Sequence, residues 1–263
     1  MKLSFSTLGC PDWTLEQIVQ NGAAYGFDGV ELRISGEKHV DPSFDAAKRK
    51  AVRDMFAGHK LAIVCLSGYT QFCGDDALKL EENGAALLRN AELAADLNAP
   101  FIRTFLGDGG EFTKRGEDVL RRYCDEAHKL GVTVLLEIHD ALKTGKQAAK
   151  ILSDVNSGGL AVLWDIHHSV SGNEMPEDTW LNLGKNIQHV HMKDVDSDNQ
   201  LCHMGQGTLP CSEITLLLEN NGFDGYISLE WEKMWVPSLD EPEIAFPKYI
   251  DFMRKALECR SVG

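Results

Sequence analysis

The sequence predicts an α/β protein, a single (β/α)₈ barrel domain over residues 1–263. Short apolar runs alternate with longer helical patterns from one end of the chain to the other, as in parallel βαβ units. Eight such runs recur about every 25 to 40 residues, the number and order of strands in a closed barrel. No linker or low-complexity stretch separates them. A doubly wound parallel sheet is the alternative architecture.

Each predicted strand is a short run rich in apolar and β-branched residues. Three of the units share a Gly-[Phe/Val]-x entry, as in GFDGVEL, GVTVLLE and GFDGYISLE, which is a weak internal repeat. In chain order the strands are KLSFSTL (2–8), FDGVELRI (27–34), LAIVCLS (61–67), PFIRTFLG (100–107), VTVLLEIHD (132–140), LAVLWDIHH (160–168), IQHVHMKD (187–194) and YISLEWE (226–232).

The segments between the strands carry helical periodicity. In DDALKLEENGAALLRNAELAADLN (75–98) and EDVLRRYCDEAHKLG (117–131) the apolar residues recur at intervals of three and four. The second segment closes on a glycine, where a helix C-terminus is expected. These patterns predict the connecting helices of βα units.

Composition excludes several classes of partner. The net charge of −14 argues against nucleic acid, because nonspecific affinity for the phosphate backbone comes from lysine and arginine. No apolar run approaches the roughly 20 residues that span a bilayer, and MKLSFSTLGC is typical of a first strand rather than a signal peptide. Seven cysteines without a C-x-x-C pair indicate buried thiols in a reducing compartment. We therefore expect a cytoplasmic protein with no membrane partner.

Polar side chains end the last four predicted strands, where a barrel places its catalytic groups. Carboxylates are rarely buried unless they are paired or bound to a cation, so their convergence predicts a shared proton or a metal ion. One such carboxylate alone is more often a helix N-cap or a loop residue, and only the coincidence over four strands carries the hypothesis. The residues are Glu137 and His139, Asp165 and His168, His189 and His191, and Glu230 and Glu232.

The seventh strand is unusual because it carries two histidines in HVHMKD (189–194). His189 and His191 share one face of a strand, with Val190 on the other. Three carboxylates and one imidazole suit a hard divalent ion such as Mn²⁺, Mg²⁺ or Co²⁺, whereas structural zinc prefers thiolates. One of the two histidines is therefore predicted to be a ligand, and the other to hold it or a neighbouring carboxylate.

These residues resemble those of the xylose-isomerase-like TIM barrels, the sugar-phosphate isomerase/epimerase superfamily, which includes ketose 3-epimerases, hydroxypyruvate isomerases and inosose dehydratases. The resemblance covers nearly the whole chain, through GFDGVELR, IRTFLG, LLEIH, WDIHHS, HVHMKD, GQGTLP and YISLEWE. It implies one divalent metal ion, most often Mn²⁺, with Co²⁺, Mg²⁺ and Zn²⁺ as alternatives. It also implies a homodimer or homotetramer. The implied metal ligands are Glu137, Asp165, His191 and Glu230, and the implied substrate contact is His168.

Two departures leave the substrate open. Ketose 3-epimerases carry a sugar-binding glutamate where Lys143 stands and an arginine where Ser197 stands. The H-x-K-D run, with Lys193 and Asp194, is more similar to the dehydratase and isomerase branches. The resemblance therefore carries over the metal site but not the identity of the sugar, nor whether the substrate is phosphorylated.

The expected chemistry is proton abstraction next to a carbonyl, with a metal-stabilised enediolate. Glu137 and Glu230 are the candidate bases. His168 and Lys193 are candidate acids or hydrogen-bond donors, although Lys193 is equally expected as an ion-pair partner of Asp194 or of a metal-site carboxylate.

Four further residues are predicted to contact substrate. Arg103, like Glu31 on strand two, stands where such enzymes often carry pocket-facing polar residues, and surface ion pairing is the alternative for both. His139 follows Glu137 at the end of strand five, and His203 lies in the loop NQLCHMGQGTLP. Trp231 is a candidate sugar-stacking ring, with packing of the last helix as its alternative.

The sequence thus predicts a divalent-metal-dependent isomerase or epimerase of a small carbohydrate. The alternative is an inosose-type dehydratase with the same metal site. Apurinic endonucleases share this barrel, but they need extra metal ligands and a basic face, which the net charge of −14 opposes. A binding module that only retains the metal is a further alternative, and the complete ligand set counts against it.

Overall fold

The computed structural model describes residues 1–34 and 39–258; residues 35–38 and 259–263 of the predicted domain lie outside this part. Eight parallel strands close a barrel in the order β1 to β7 followed by β10, which pairs back with β1. This confirms the predicted barrel and excludes the open doubly wound sheet. The strands are β1 (Lys2–Ser6), β2 (Gly29–Arg33), β3 (Ala62–Gln71), β4 (Phe101–Phe105), β5 (Thr133–Glu137), β6 (Leu160–Asp165), β7 (Ile187–Met192), β8 (Asp194–Val195), β9 (Leu201–Cys202) and β10 (Tyr226–Leu229).

Helices connect the strands on the outside of the barrel. Both predicted helical segments form helices, and Gly131 follows the second with φ 77°, a left-handed conformation that suits glycine. The helices are α1 (Leu15–Tyr25), α2 (Ala46–Gly58), α3 (Ala77–Asp96), α4 (Lys114–Lys129), α5 (Gly145–Val155), α6 (Ile166–Ser171), α7 (Pro176–Leu183), α8 (Cys211–Asn220) and α9 (Pro242–Glu258).

The sixth strand is shorter than predicted. It ends at Asp165, whose carboxylate accepts hydrogen bonds from the backbone N–H groups of His167 and His168 and so begins helix α6. His168 is therefore on the first turn of a helix and not in a strand. A carboxylate that caps a helix ends the extended conformation, which the apolar pattern alone does not reveal.

The inner face of the barrel changes from apolar to polar along the strands. A buried apolar cluster of Val64, Cys65, Leu135, Ala161 and Leu163 fills part of the interior. Because alternate side chains of a strand share a face, the residues two positions beyond Leu135 and Leu163 point the same way. Those residues are Glu137 and Asp165, so the apolar cluster lies beneath a polar layer at the C-terminal mouth. In the part of the chain that the structure describes, no helix has both the length and the apolar character to cross a bilayer.

Candidate metal centre and catalytic site

The four predicted metal ligands lie together at the mouth of the barrel. Glu137 ends β5, Asp165 ends β6, His191 lies in β7 and Glu230 follows β10. One donor atom from each lies within 4.8 Å of the others, and all four residues are buried. The Nδ1 atom of His191 is 3.0 Å from Glu137 Oε1 and 3.3 Å from Glu230 Oε1. Three carboxylates and one imidazole thus surround a single point.

This donor set fits a divalent cation. Two of its buried oxygens, Glu137 Oε2 and Asp165 Oδ2, accept no hydrogen bond of good geometry, although the cations of Arg103 and Lys193 lie 3.2 and 2.9 Å from them. Three buried carboxylates so close together repel one another, and a divalent cation at their centre would compensate their charge together with these two side chains. Three oxygen donors and one nitrogen donor without thiolates match the preferences of Mn²⁺, Co²⁺ or Mg²⁺ more closely than those of a structural zinc.

Lys193 lies against the carboxylates of this cluster. Its Nζ atom is 2.9 Å from Asp165 Oδ2, 2.6 Å from Glu230 Oε2 and 2.8 Å from Glu232 Oε1. Burial alone would lower the pKa of Lys193, but these carboxylates raise it well above its ordinary value. Of the two ion-pair alternatives, the structure therefore has the one with metal-site carboxylates and not the one with Asp194.

Arg103 faces the same cluster from β4. Its Nη1 atom is 3.2 Å from Glu137 Oε2 and 3.8 Å from Glu230 Oε1. The guanidinium also lies over the rings of Tyr69 and Phe105, with its carbon 5.0 and 4.5 Å from their centroids. Arg103 is buried, so the alternative of a surface ion pair does not apply.

Glu31 is a functional candidate that the sequence argument left undecided. Its Oε2 atom is 2.8 Å from His191 Nε2 and 2.9 Å from His189 Nε2, and its Oε1 accepts a hydrogen bond from Ser67. Burial would raise the pKa of Glu31, but the two histidines hold it well below its usual range. Glu31 thus orients His191 from the side opposite the Nδ1 atom, which faces Glu137 and Glu230. His189 contacts Glu31 rather than His191 itself.

The protonation of the two histidines follows from these contacts. Burial lowers the pKa of His189. Burial would also lower the pKa of His191, but the surrounding carboxylates, Glu31 foremost, raise it well above its ordinary value. These contacts favour the protonated form of the His191 imidazole. The sequence feature that pointed to these contacts was a pair of histidines on one face of β7, together with a glutamate predicted to face the pocket from β2.

His139 and His168 form a second pair beside Asp165. Their ring centroids are 4.1 Å apart, and His168 Nε2 is 3.9 Å from Asp165 Oδ2. His139 Nδ1 is 2.7 Å from Asp140 Oδ1. Burial lowers the pKa of His168, so its neutral form is favoured. Both rings lie beside the predicted metal ligands, where a substrate would reach them.

His203 and Trp231 are arranged differently. Their rings stack with centroids 5.2 Å apart and an interplanar angle of 10°. His203 Nε2 is 2.8 Å from Asp240 Oδ2, and Trp231 Nε1 donates to the backbone carbonyl of Asp240 at 2.9 Å. Neither residue lines the cavity above the cluster. This arrangement favours the packing alternative for Trp231 over stacking on a sugar.

A cavity of about 360 Å³ opens above the cluster. This volume suits a small molecule. Its wall combines aromatic rings with carboxylates and one guanidinium. The lining residues are Leu8, Tyr69, Gln71, Arg103, Phe105, His139, Asp140, Glu230, Glu232 and Trp235.

The fold and the site together define the class of protein. The family model of the xylose isomerase-like TIM barrel matches residues 19–256, and the chain belongs to that family. This confirms the resemblance inferred from the sequence motifs.

Individual relatives are distant. Fructoselysine 3-epimerase of Escherichia coli O157:H7 is 22% identical over 277 aligned positions, which cover 98% of this chain and 96% of that protein. The probable 3-DHS dehydratase AsbF from Bacillus anthracis has a TM-score of 0.82 at 20% identity, covering 97% of this chain and 99% of that one. The IolI protein, solved with a zinc atom, has a TM-score of 0.76 at 20% identity, covering 98% and 96%. The two solved structures show a shared fold.

Proposed function

We propose that this protein is a divalent-metal-dependent isomerase or epimerase of a small carbohydrate or related hydroxy-carbonyl compound. The observation that carries the proposal is the buried set of three carboxylates and one imidazole, with donor atoms within 4.8 Å of one another at the edge of the cavity. The relationship to a fructoselysine 3-epimerase over 98% of the chain supports the same reaction class.

Glu137, Asp165, His191 and Glu230 would hold the cation, through carboxylate oxygens and the Nδ1 atom of His191. When bound, a divalent cation supplies Lewis-acid polarisation of a substrate carbonyl and stabilises the negative charge that develops on proton removal. Mn²⁺ is the first candidate for this donor set, with Co²⁺, Mg²⁺ and Zn²⁺ as alternatives.

Glu137 and Glu230 are the bases in this proposal. They stand at the ends of β5 and β10, which lie on either side of β7 in the barrel, so their carboxylates approach a bound substrate from different directions. One carboxylate removes the proton next to the carbonyl. Return of a proton from the other side to the same carbon is epimerisation, and return to the neighbouring carbon is isomerisation.

Arg103 and the His139–His168 pair position the substrate. Arg103 lines the cavity and its Nη1 atom lies 3.2 Å from Glu137 Oε2, so it orients that carboxylate. His168 is favoured in its neutral form and so has one ring nitrogen that donates and one that accepts. It is suited to hydrogen-bond a substrate hydroxyl beside Asp165.

Dehydration is the second candidate, and Lys193 is the observation that favours it. Its ammonium group is within 3 Å of both Asp165 and Glu230, so it is placed to protonate a departing hydroxyl group. The structural likeness to a probable 3-DHS dehydratase is compatible with this chemistry. Both reactions begin with the same proton abstraction.

The test is hydrogen exchange in D₂O. We expect the Mn²⁺-loaded protein to incorporate deuterium next to the carbonyl of at least one member of a panel of ketoses and inososes, followed by proton NMR. The Glu137→Gln variant should lose this exchange by about 100-fold or more, since a positioned general base contributes at least that much.

Glu92→Gln, a change of an exposed carboxylate on α3, is the matched control and should keep full activity. An ultraviolet-absorbing enone product would assign the dehydratase reaction. Conversion of a substrate without any deuterium incorporation would point to hydride transfer and contradict the proposal.

A further inference from the structure

Arg33, the last residue of β2, is a buried cation without a carboxylate partner among residues 1–34 and 39–258. The residue is only 7% exposed, yet its Nε and Nη1 atoms have no hydrogen-bond acceptor. Among the described residues it forms no ion pair. A buried guanidinium with unsatisfied donors is costly, so its retention calls for a function outside packing.

Arg33 belongs to the inner face of the barrel at its mouth. Glu31 points inward to the two histidines, and side chains two positions apart on a strand share a face. At about 3.3 Å per residue, Arg33 lies about 7 Å beyond Glu31 toward the cavity. Its register partner Ser67 is also the partner of the cavity residue Arg103.

The surroundings of Arg33 include the cavity wall. Its guanidinium carbon is 5.7 Å from the centre of the Trp235 ring, and its backbone N–H donates to Thr7 Oγ1 next to Leu8. Trp235 and Leu8 both line the cavity. The Trp235 side chain is 58% exposed, so it can turn aside with little loss of buried area and open a path to the guanidinium.

The other cations of the site already have carboxylate partners. Arg103 pairs with Glu137 and Glu230, and Lys193 pairs with Asp165 and Glu230. The carboxylate of Glu243, which like Arg33 influences the thiol of Cys10, accepts instead from Trp13 Nε1 at 3.2 Å. In the described part of the site, Arg33 is thus the cation left for a ligand.

We propose that Arg33 binds an oxyanion group of the substrate, so that the substrate is an acidic or phosphorylated hydroxy-carbonyl compound and not a neutral sugar. This inference rests on the proposed function, because it assumes that the reacting carbonyl lies at the metal cluster. Arg33 lies about 7 Å beyond Glu31 along β2, and Glu31 contacts the predicted metal ligand His191. An oxyanion at Arg33 would therefore be several bonds from the carbon that reacts at the metal cluster. Guanidinium recognises carboxylate and phosphate alike, through paired N–H donors.

Three ketoses with one carbon skeleton test this inference: D-fructose, D-fructuronate and D-fructose 6-phosphate, which differ only at C6. Calorimetry with the Mn²⁺-loaded protein measures binding without relying on turnover. We expect at least one charged ketose to bind about 10- to 100-fold more tightly than D-fructose, the range for a charge-assisted contact. Which charged ketose benefits identifies carboxylate or phosphate as the group.

Arg33→Met should bring the three dissociation constants within about twofold of one another, and Arg33→Lys should retain part of the preference. Arg89→Met, on the outer surface of α3, is the control and should keep it in full. A melting temperature of Arg33→Met at or above that of the unmodified protein would show that the residue is not kept for stability.

The inference is wrong if the unmodified protein binds neither charged ketose more tightly than D-fructose. This includes the case in which it binds none of the three ketoses. It is also wrong if Arg33→Met keeps the preference. Failure of the proposed reaction would appear separately, as absence of deuterium exchange in the assay above with binding preferences intact.

Discussion

At the scale of single residues, His189 and His191 share one face of β7 but contact different partners. His191 presents Nδ1 to Glu137 and Nε2 to Glu31, whereas His189 presents Nε2 to Glu31 alone. Strand alternation predicted the common face, and the resemblance assigned the ligand role to His191. The sequence could not show that a glutamate from β2 joins the two rings, because that contact depends on how the barrel closes.

Glu31 is expected to be a positioning residue for metal binding. Its hydrogen bond to His191 Nε2 fixes the orientation of the ring and the tautomer that leaves Nδ1 free. Glu31→Gln should weaken Mn²⁺ binding about 10- to 100-fold, the usual cost of losing such a partner. Calorimetric titration measures this, with Glu92→Gln as the control. Equal Mn²⁺ affinity of the Glu31→Gln and Glu92→Gln variants would contradict the positioning role of Glu31.

Metal binding is expected to release a proton from His191. The neighbouring carboxylates raise the pKa of this imidazole well above its ordinary value, and a metal ligand must be neutral. At neutral pH, Mn²⁺ binding therefore displaces a proton from His191, and the Mn²⁺ affinity falls as the pH is lowered further below the raised pKa. Above that pKa, Mn²⁺ binding no longer releases a proton. Calorimetric titrations at pH 7 in two buffers of different ionisation enthalpy measure the number of protons released on Mn²⁺ binding. Identical heats in both buffers would contradict proton release from His191.

At the scale of elements, Asp194 organises the loop that follows β7. Its carboxylate accepts from the backbone N–H groups of Gly205 and Gly207 at 2.9 Å each, and also from Leu209 at 3.2 Å. The loop thus folds back onto Asp194, beside Lys193, and supports the C-terminal end of β7.

A substitution at Gly207 tests the packing of this loop against Asp194. A Cβ atom at Gly207 would lie 2.2 Å from Asp194 Oδ1 and 2.3 Å from the Val195 carbonyl oxygen, and both must shift to admit it. Gly207→Ala should therefore lower the free energy of unfolding by about 1–3 kcal/mol, the typical cost of overpacking. Gly109→Ala has no atom within 4 Å of the new Cβ and is the matched control. Urea denaturation compares the two, and equal stability would contradict the loop geometry.

At the scale of the whole molecule, barrel closure brings the C-terminal ends of β3, β4, β5 and β10, which are distant in sequence, around one cavity. The closed order of strands makes neighbours of β7 and β10, which are separated in sequence by the hairpin of β8 and β9 and by α8. The predicted homodimer or homotetramer and the cytoplasmic location stay predictions.

Burial in the folded barrel also controls how readily each cysteine thiol reacts. The six described cysteines are free, and Cys10, Cys65, Cys124 and Cys211 are buried. Burial raises the pKa of each of these four thiols and raises that of the partly buried Cys202 to about 11.

Because the thiolate is the reactive form, the folded protein should resist iodoacetamide at these four buried positions at pH 8 and react fully in denaturant. Peptide mapping by mass spectrometry gives the rates at each cysteine. Cys73 and Cys202, which are partly exposed, are the internal comparison and should react faster. Equal labelling of Cys124 and Cys202 in the folded state would contradict the predicted burial.

The sequence by itself determined the eight strands and the polar side chains at their ends, because alternation and strand length are local properties. It favoured the closed barrel over an open sheet, and the resemblance selected His191 as the ligand. Only the tertiary structure decided which side chains meet. It joined Glu31 to both histidines and turned Trp231 and His203 toward Asp240. It also left Arg33 buried beside the cavity, with no carboxylate partner in the described part of the chain. The physical reason is that a strand pattern sets the face of each side chain, whereas the partners of that side chain come from strands and loops distant in sequence.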